Sequence, residues 1–444
     1  MENPIKNNKS RSAFRVIVFS FFILIMGGSI LLMLPISSCN RSMTSFSDAL
    51  FTAVSATCVT GLVVKDTATY WSMFGQFVIL ILIQIGGMGV ITVGLAILRA
   101  SGKKIGLRQR EIMQESVNAH SIGGMVRLTS FIVKGSVIIE AFGAALLLPV
   151  FLRELSPLKA IWYSVFHSVS AFCNAGFDLM GVRGQFSSLI SYSSNVYLNV
   201  VIMLLIITGG IGFLTWDDII EKRFELKKYT LQSKVVLVTS LILIVVPAVY
   251  FMFGEYASLP VRERILSSFF QSVTARTAGF NTQDISGMSD AGSAVMLMLM
   301  MVGGSSGSTA GGMKTTTIAV LFLAAITVFG RRSEVRCFKR RISDETIRTA
   351  GAILFMYFVL TTVVGLVISK VDGLPLLASL FEADSAIATV GLTMGITPGL
   401  SLLSRTLLML LMFFGRVGAL TLVYATVSVE DDSARYPLEK LNVG

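Results

Sequence analysis

The sequence predicts an all-α membrane protein of four covalently linked units, each a span, a short pore helix and a second span, arranged around a central pore. Three observations carry that expectation. Hydrophobic residues make up 53% of the 444 residues and charged residues 14%, with a mean hydropathy of +0.75, whereas soluble domains carry about 25% charged residues. Eight windows are long and almost uncharged, near residues 14–37, 72–98, 135–152, 196–216, 235–253, 293–329, 350–369 and 402–429; each is near or above the ~20 residues that cross a bilayer as a helix. Finally, the loops between alternate windows repeat one short polar–apolar pattern.

The first window is long and no A-x-A site follows it, so it reads as a span and not as a cleaved leader. The net charge of +11 is concentrated: Lys6 to Arg15, Arg99 to Arg110, Lys222 to Lys234 and Arg331 to Arg341 hold 4, 5, 5 and 6 basic residues. Each cluster lies between alternate pairs of windows, the asymmetry expected of cytoplasmic loops, which places the N-terminus inside and argues against a nucleic-acid partner. The four cysteines, Cys39, Cys58, Cys173 and Cys337, have no disulfide or metal-site spacing.

The repeat reads FTAVSA (51–56), FHSVSA (166–171), FQSVTA (270–275) and FEADSA (381–386), with Phe first, Ser or Thr fifth and Ala last. Four or five residues after that Ala stand Gly61-Leu62, Gly176-Phe177, Gly279-Phe280 and Gly391-Leu392. A G-x-x-G follows in each next window: Gly86/Gly89, Gly209/Gly212, Gly304/Gly307 and Gly415/Gly418. Three marks in one order at a period of about 100–115 residues define four units, at 1–100, 101–220, 221–335 and 336–444. Pro157, Pro260 and Pro375 open the second, third and fourth short helices, and Ser45 or Ser47 caps the first. At about 10–15 residues these helices are too short to span. Irregular backbone at membrane depth is tolerated only inside protein or beside water, so four such segments imply a pore. Rings of backbone carbonyls replace the water of a dehydrating cation, and glycine permits the backbone turn this needs. A single such glycine is read first as a helix end; four at equivalent positions favour the carbonyl ring.

The segment MVGGSSGSTAGGMKTTT (301–317) splits an apolar window with five glycines, each costing about 1 kcal/mol in a helix interior. Gly307 to Gly312 has phosphate-loop spacing, but Met313 intrudes before Lys314 and Thr315, and no soluble strand precedes it. Window 293–329 holds 37 residues, about 55 Å as one helix, against a core of ~30 Å. Two half-helices joined by irregular backbone at 303–317 are therefore expected, just inside the pore ring, with the hydroxyls of Ser305, Ser306, Ser308 and Thr309 along the path. The alternative is a kink between packed helices. Arg416 is the lone charge in LLMLLMFFGRVGALTLV (407–423), inside the fourth G-x-x-G, and the cost of an Arg against lipid turns it toward protein or water.

The motifs VSATCVTGL (54–62), VSAFCNAGFD (169–178), TARTAGFN (274–281) and TVGLTMG (389–395), with the 301–317 loop, resemble the Trk/Ktr/HKT superfamily of K⁺ transporters over nearly the whole chain. Eight main spans with no extra N-terminal pair resemble the Ktr membrane subunits more than the larger TrkH type. The resemblance implies a K⁺-channel-like fold and K⁺ uptake, sometimes Na⁺-dependent, in a bacterial cytoplasmic membrane with both termini inside. It implies a filter at Val59-Thr60-Gly61, Asn174-Ala175-Gly176, Thr277-Ala278-Gly279 and Thr389-Val390-Gly391, holding the monovalent cation and no other metal. It implies a gate at Gly303, Gly304, Ser305, Ser306, Gly307, Ser308, Thr309, Ala310, Gly311, Gly312 and Lys314, with Arg416 beside it. It also implies a homodimer on a cytosolic RCK ring of the KtrA type, which binds the nucleotide; this chain itself carries no cofactor. Gly61, where some plant members have Ser and favour Na⁺, points to K⁺ selectivity. Asp384 departs from the Val of the other units, and Asp66, Asp178 and Asp284 follow three of the filters, either gathering cations or standing as ordinary loop acids. The competing class is an ion-coupled carrier of an organic solute with a midplane site, though carriers often use inverted repeats and these units share one orientation. With two histidines, His120 and His167, and no H-E-x-x-H, an enzyme is not expected.

Overall fold

The computed structural model describes residues 4–101, 106–117, 124–223, 225–418 and 421–422. Four long helices serve as first spans: α1 (Pro4–Met33), α6 (Met125–Phe151), α10 (Leu231–Phe253) and α14 (Asp344–Asp372). These are apolar enough to cross a membrane, α1 over Phe14–Met33. Each is followed by a short helix: α2 (Phe46–Thr57), α7 (Pro157–Phe172), α11 (Val261–Thr274) and α15 (Leu376–Ile387). Their starts follow the sequence signals. Ser45 caps α2 by accepting the Asp48 N–H, Pro157 opens α7, and Pro260 and Pro375 are the N-cap residues of α11 and α15.

The second spans of units one, two and three are interrupted. In unit one α3 (Met73–Met88) meets α4 (Val90–Ala100) at 95°, and in unit two α8 (Val196–Gly210) meets α9 (Phe213–Lys222) at 96°. The bends fall at Gly89 and Gly212, with φ +89° and +94°, a region that only glycine enters at no steric cost. Unit three has α12 (Asp290–Met300) and α13 (Thr315–Phe329) on either side of the long loop, as expected for window 293–329. In unit four α16 (Leu402–Val417) ends at Gly418, φ +96°, and the rest of window 402–429 lies almost wholly outside the described residues. Hydropathy reports length and not direction, so the windows at 72–98 and 196–216 read as straight spans when they are bent ones. A helix α5 (Leu107–Val117) and a two-stranded hairpin, β1 (Arg336–Cys337) with β2 (Arg340–Arg341), are also among the described elements. Side-chain caps from Ser72, Asn195, Thr230, Ser289, Ser343 and Ser401 satisfy the first turns of α3, α8, α10, α12, α14 and α16, each typically worth about 0.5–2 kcal/mol.

The four units close into a ring. The second span of each packs on the short helix of the next: α3 on α7, α8 on α11, α12 on α15, and α16 back on α2. The last contact carries an ion pair, Arg405 to Asp48 at 3.0 Å, joining residues 357 positions apart. The first glycine of each G-x-x-G makes room for a different contact, with its own unit's short helix. A β-carbon on Gly86, Gly209 or Gly415 would lie 2.0, 1.9 and 1.9 Å from the carbonyl oxygens of Thr57, Phe172 and Ile387. In units one, two and four, then, the first glycine admits the short helix's end and the second turns the chain.

Candidate functional site

The repeated hexapeptide supplies the scaffold. Its Phe is fully buried in every unit, at Phe51, Phe166, Phe270 and Phe381, and anchors the short helix in the bundle. Its Ser or Thr supports the backbone that follows. The Ser55 carbonyl accepts the Thr60 N–H (2.8 Å) and its hydroxyl accepts the Gly61 N–H (3.1 Å). Ser385 does the same for Val390 (2.8 Å) and Gly391 (3.0 Å). In unit two the Ser170 carbonyl accepts the Ala175 N–H. In unit three the Thr274 hydroxyl instead donates to the Phe280 carbonyl at 2.7 Å, because that segment is one residue shorter.

These supports hold a strained conformation. Val59, Asn174, Thr277 and Thr389 have φ of +51°, +55°, +65° and +54°, and Gly61, Gly176, Gly279 and Gly391 two residues on have +93°, +69°, +78° and +89°. Three of the four non-glycine residues are β-branched, for which positive φ is a true outlier, costing about 1–3 kcal/mol each. The same pattern in all four units brings the glycines together head to tail. A β-carbon on Gly61 would lie 2.6 Å from the Ala175 oxygen, one on Gly176 2.9 Å from that of Ala278, one on Gly279 2.4 Å from that of Val390, and one on Gly391 2.1 Å from that of Thr60. The circuit closes: the oxygens of Thr60, Ala175, Ala278 and Val390 stand against a ring of four glycines. Geometry of this kind suits a dehydrated monovalent cation.

Directly beneath, the loop between α12 and α13 reaches every unit. It starts from its own Val302–Met313 bridge, with Gly303 N–H on the Met313 carbonyl at 2.8 Å. Ser305 and Thr309 donate their N–H groups to Gly210 and Gly209 (2.9 and 3.2 Å), and Gly307 accepts from Phe213 at 2.7 Å, so the loop is bonded into the break of unit two. The Thr309 hydroxyl donates to the Phe172 carbonyl at 2.9 Å. Toward unit four, Gly312 N–H reaches Gly415 at 3.3 Å, and a β-carbon on Gly311 would lie 2.2 Å from the Thr389 hydroxyl. Arg416 completes the connection, donating to the Thr309 carbonyl and to Gly86 and Gly87 of unit one, the last at 2.8 Å. Lys314 turns its ammonium back onto the Ala310 and Gly311 carbonyls, at 2.8 and 3.3 Å. Below lies a cavity of about 850 Å³ lined by Ser306, Gly307, Ser308, Lys314 and Arg416 of this layer.

Several expectations are changed in detail. Of the four loop hydroxyls expected along the path, Ser305 and Thr309 are fully buried and paired, Ser305 with Thr315 at 3.2 Å; Ser306 and Ser308 line the cavity as residues, but the Ser308 hydroxyl is itself buried. Gly303 to Gly307 also satisfy the G-x-S-x-G spacing of a hydrolase nucleophile turn. That turn joins a strand to a helix beside a His partner, whereas here the loop joins two helices and Ser305 pairs with a threonine. Asp66 is buried and occupied by the N–H groups of Ala68, Thr69 and Phe186 (3.1, 2.9 and 3.0 Å), so it clasps units one and two together. Asp178 accepts from Met180 N–H, and only Asp284 is exposed. The second position of the hexapeptide is polar in every unit, at Thr52, His167, Gln271 and Glu382. Glu382 is fully buried and accepts hydroxyls from Thr393 (2.7 Å) and Thr397 just beyond Gly391. His167 Nε2 likewise accepts the Leu179 N–H at 3.3 Å. Buried Arg276, inside TARTAGFN, donates to Ser240 at 3.0 Å. For Glu382 and His167 the available signal was a polar residue after Phe in all four repeats; Arg276 stands outside that position.

Apolar spans closed around a ring of strained carbonyl backbone define a multi-pass, all-α membrane pore protein. Sequence comparisons agree over the whole length. The TrkH family, described as cation transport proteins, matches residues 2–436, and the chain belongs to that family, which consists of transporters and not enzymes. Among its relatives, the potassium/sodium uptake protein NtpJ of Enterococcus hirae is 39% identical over 98% of both chains. The Ktr system potassium uptake protein B of Bacillus subtilis is 38% identical over 95% of both. That of Vibrio alginolyticus is 33% identical over 97% of this chain and 94% of its own. The crystal structure of the potassium transporter TrkH from Vibrio parahaemolyticus superposes with a TM-score of 0.73, 18% identity, covering 94% of this chain and 85% of that one; the likeness supports the fold.

Proposed function

We propose that this protein carries K⁺ into a bacterial cell through the ring formed by Val59-Thr60-Gly61, Asn174-Ala175-Gly176, Thr277-Ala278-Gly279 and Thr389-Val390-Gly391. The observation that carries the reading is the closed circuit of glycine against carbonyl around four units. One or two such approaches would serve as helix ends; a complete circuit encloses an axis. The relatives' names, potassium uptake for two and potassium/sodium uptake for the third, support K⁺ as cargo with Na⁺ as a second participant. Gly61, and glycine at each of the other three corners, favours K⁺ selectivity.

The loop from Gly303 to Gly312, with Lys314 and Arg416, is the gate of this reading. It lies across the path under the ring, and Arg416 sets a positive charge there while its donors hold the loop carbonyls. The units fall at 1–100, 101–220, 221–335 and 336–444, with both termini in the cytoplasm. The word system in two relatives' names fits a membrane subunit working with others: a homodimer resting on an RCK ring of the KtrA type that holds the regulatory nucleotide, with no cofactor in this chain. Uptake of ⁸⁶Rb⁺ into proteoliposomes tests the cargo. Unlabelled K⁺ competes at low concentration, Na⁺ only weakly and amino acids not at all; competition by an amino acid, with K⁺ inert, would replace the reading with a solute carrier.

A further inference from the structure

The fourth short helix carries a carboxylate that the path of the ion leaves unexplained. Asp384 stands in the last turn of α15, where Val54, Val169 and Val273 occupy the equivalent places of α2, α7 and α11. Its side chain is 1% exposed and neither carboxyl oxygen has a hydrogen-bond partner. An unpaired carboxylate in a bundle interior is expensive, and the carbonyl end of its own helix adds negative charge beside it. Something must compensate it.

The neighbouring span supplies the other half of the site. Helices α14 and α15 run antiparallel and approach so closely that a β-carbon on Gly365 would lie 3.1 Å from the Leu380 Cα. One turn further along each helix from that contact brings Thr361 level with Asp384. Thr361 is buried on the same stripe of α14 as Tyr357, Val364, Gly365 and Ile368, and its hydroxyl also lacks a partner. A further turn down, Tyr357 is in electrostatic reach of Asp384 and lines the cavity beneath the loop. Two buried oxygen groups without hydrogen-bond partners, a carboxyl and a hydroxyl, therefore flank one helix contact, with a cavity-lining phenol in reach of the carboxyl.

We infer that α14 and α15 enclose a binding site for a small monovalent cation of the Na⁺ class, with Asp384 as its anionic ligand and Thr361 as a neutral one, behind the fourth segment of the ring. A single carboxylate balances one charge, which argues against a divalent ion. Oxygen ligands suit a hard cation. The close approach at Gly365 leaves no room for a large one. A proton would neutralise the acid and let its O–H donate to a neighbouring oxygen such as that of Thr361, so a Na⁺ titration is what separates a bound cation from protonation. The site lies off the central axis, so it stands or falls separately from K⁺ conduction.

The test is thermal stability of the purified full-length protein in detergent at fixed, saturating K⁺, titrated with NaCl against choline chloride. The parent should show a saturable Na⁺-specific rise in Tm of a few degrees. Asp384→Val, which installs the residue the other three units carry, should abolish the rise. Thr361→Val should raise the half-saturating Na⁺ concentration at least threefold. Gly391→Ser, which disturbs the ring, should keep the Na⁺ rise, separating the two sites. No Na⁺-specific rise in the parent would mean that water or a proton fills the site and would overturn the inference. An unchanged half-saturation in Asp384→Val would overturn it equally. Should Asp384→Val fail to fold, Asp384→Asn serves in its place with the same expected loss.

Discussion

At the ring the four units are nearly interchangeable; one layer below they are not. Each unit brings a left-handed residue, a left-handed glycine and a carbonyl from the next unit. Below, units one and two put a single glycine bend where unit three puts a long bonded loop, and that loop bonds to units two and four and reaches unit one through Arg416. The difference separates two demands. Replacing an ion's water shell takes oxygens from every side, so sequence divergence among units is tolerated only where it leaves the backbone alone. Closing a path takes one obstruction, and a single unit suffices to provide it.

The largest effect should come from adding a side chain to the symmetric layer. Gly391→Ser puts a β-carbon 2.1 Å from the Thr60 oxygen at φ +89°, and no flexible side chain is there to yield. The K⁺ concentration for half-maximal uptake should rise at least tenfold, with loss of discrimination against Na⁺. Gly395, at φ +86° with nothing within 4 Å of its added β-carbon, is the control: Gly395→Ser carries the backbone strain without the ring contact and should shift half-saturation less than threefold. Equal losses in the two variants would remove the ring from the account.

Next in size is the asymmetric layer. Deletion of residues 305–312 should raise K⁺ flux severalfold in vesicles while leaving the K⁺/Na⁺ ratio at the parent value, because the ring is intact. A changed ratio would show that the loop takes part in selection. Arg416→Ala should raise basal flux by a smaller factor, and Arg416→Lys less again, since a lysine keeps the charge but cannot bridge Thr309 to Gly86 and Gly87. Flux equal to the parent in Arg416→Ala, at equal protein, would leave Arg416 with a packing role only.

The smallest effect is expected from the ties that differ between units. Glu382→Gln retains one acceptor for Thr393 and Thr397 and should shift half-saturation about twofold, whereas Glu382→Leu, which retains none, should shift it further. If both behave alike in ⁸⁶Rb⁺ competition, the hydroxyl ties do not steady the ring.

The symmetric layer was legible in the sequence because its demands are made of single residues. Only glycine fits against a neighbouring carbonyl, only a large apolar residue anchors the short helix, and Ser or Thr is needed to brace the strained turn, so Phe, Ser and Gly recur in step. The break layer was half legible. Five glycines in an over-long apolar window announced the loop in unit three, and the lone charge of Arg416 announced a polar neighbour. The bends at Gly89 and Gly212 were hidden, because a bent span and a straight one have the same hydropathy. Least visible were the ties formed by residues distant in the chain. That Asp66 would be consumed by Phe186 N–H, or Glu382 by Thr397, depends on how loops fold back, and no local pattern encodes it.

The central claim is that the four glycines surround a dehydrated K⁺. Its most direct test is the position of the ion itself, by anomalous diffraction from crystals grown with Rb⁺ or Tl⁺ in place of K⁺. Strong density is expected on the axis among Gly61, Gly176, Gly279 and Gly391, and it should weaken in Gly391→Ser. Density absent from that axis in the parent, with ordered ions elsewhere along the path, would contradict the claim.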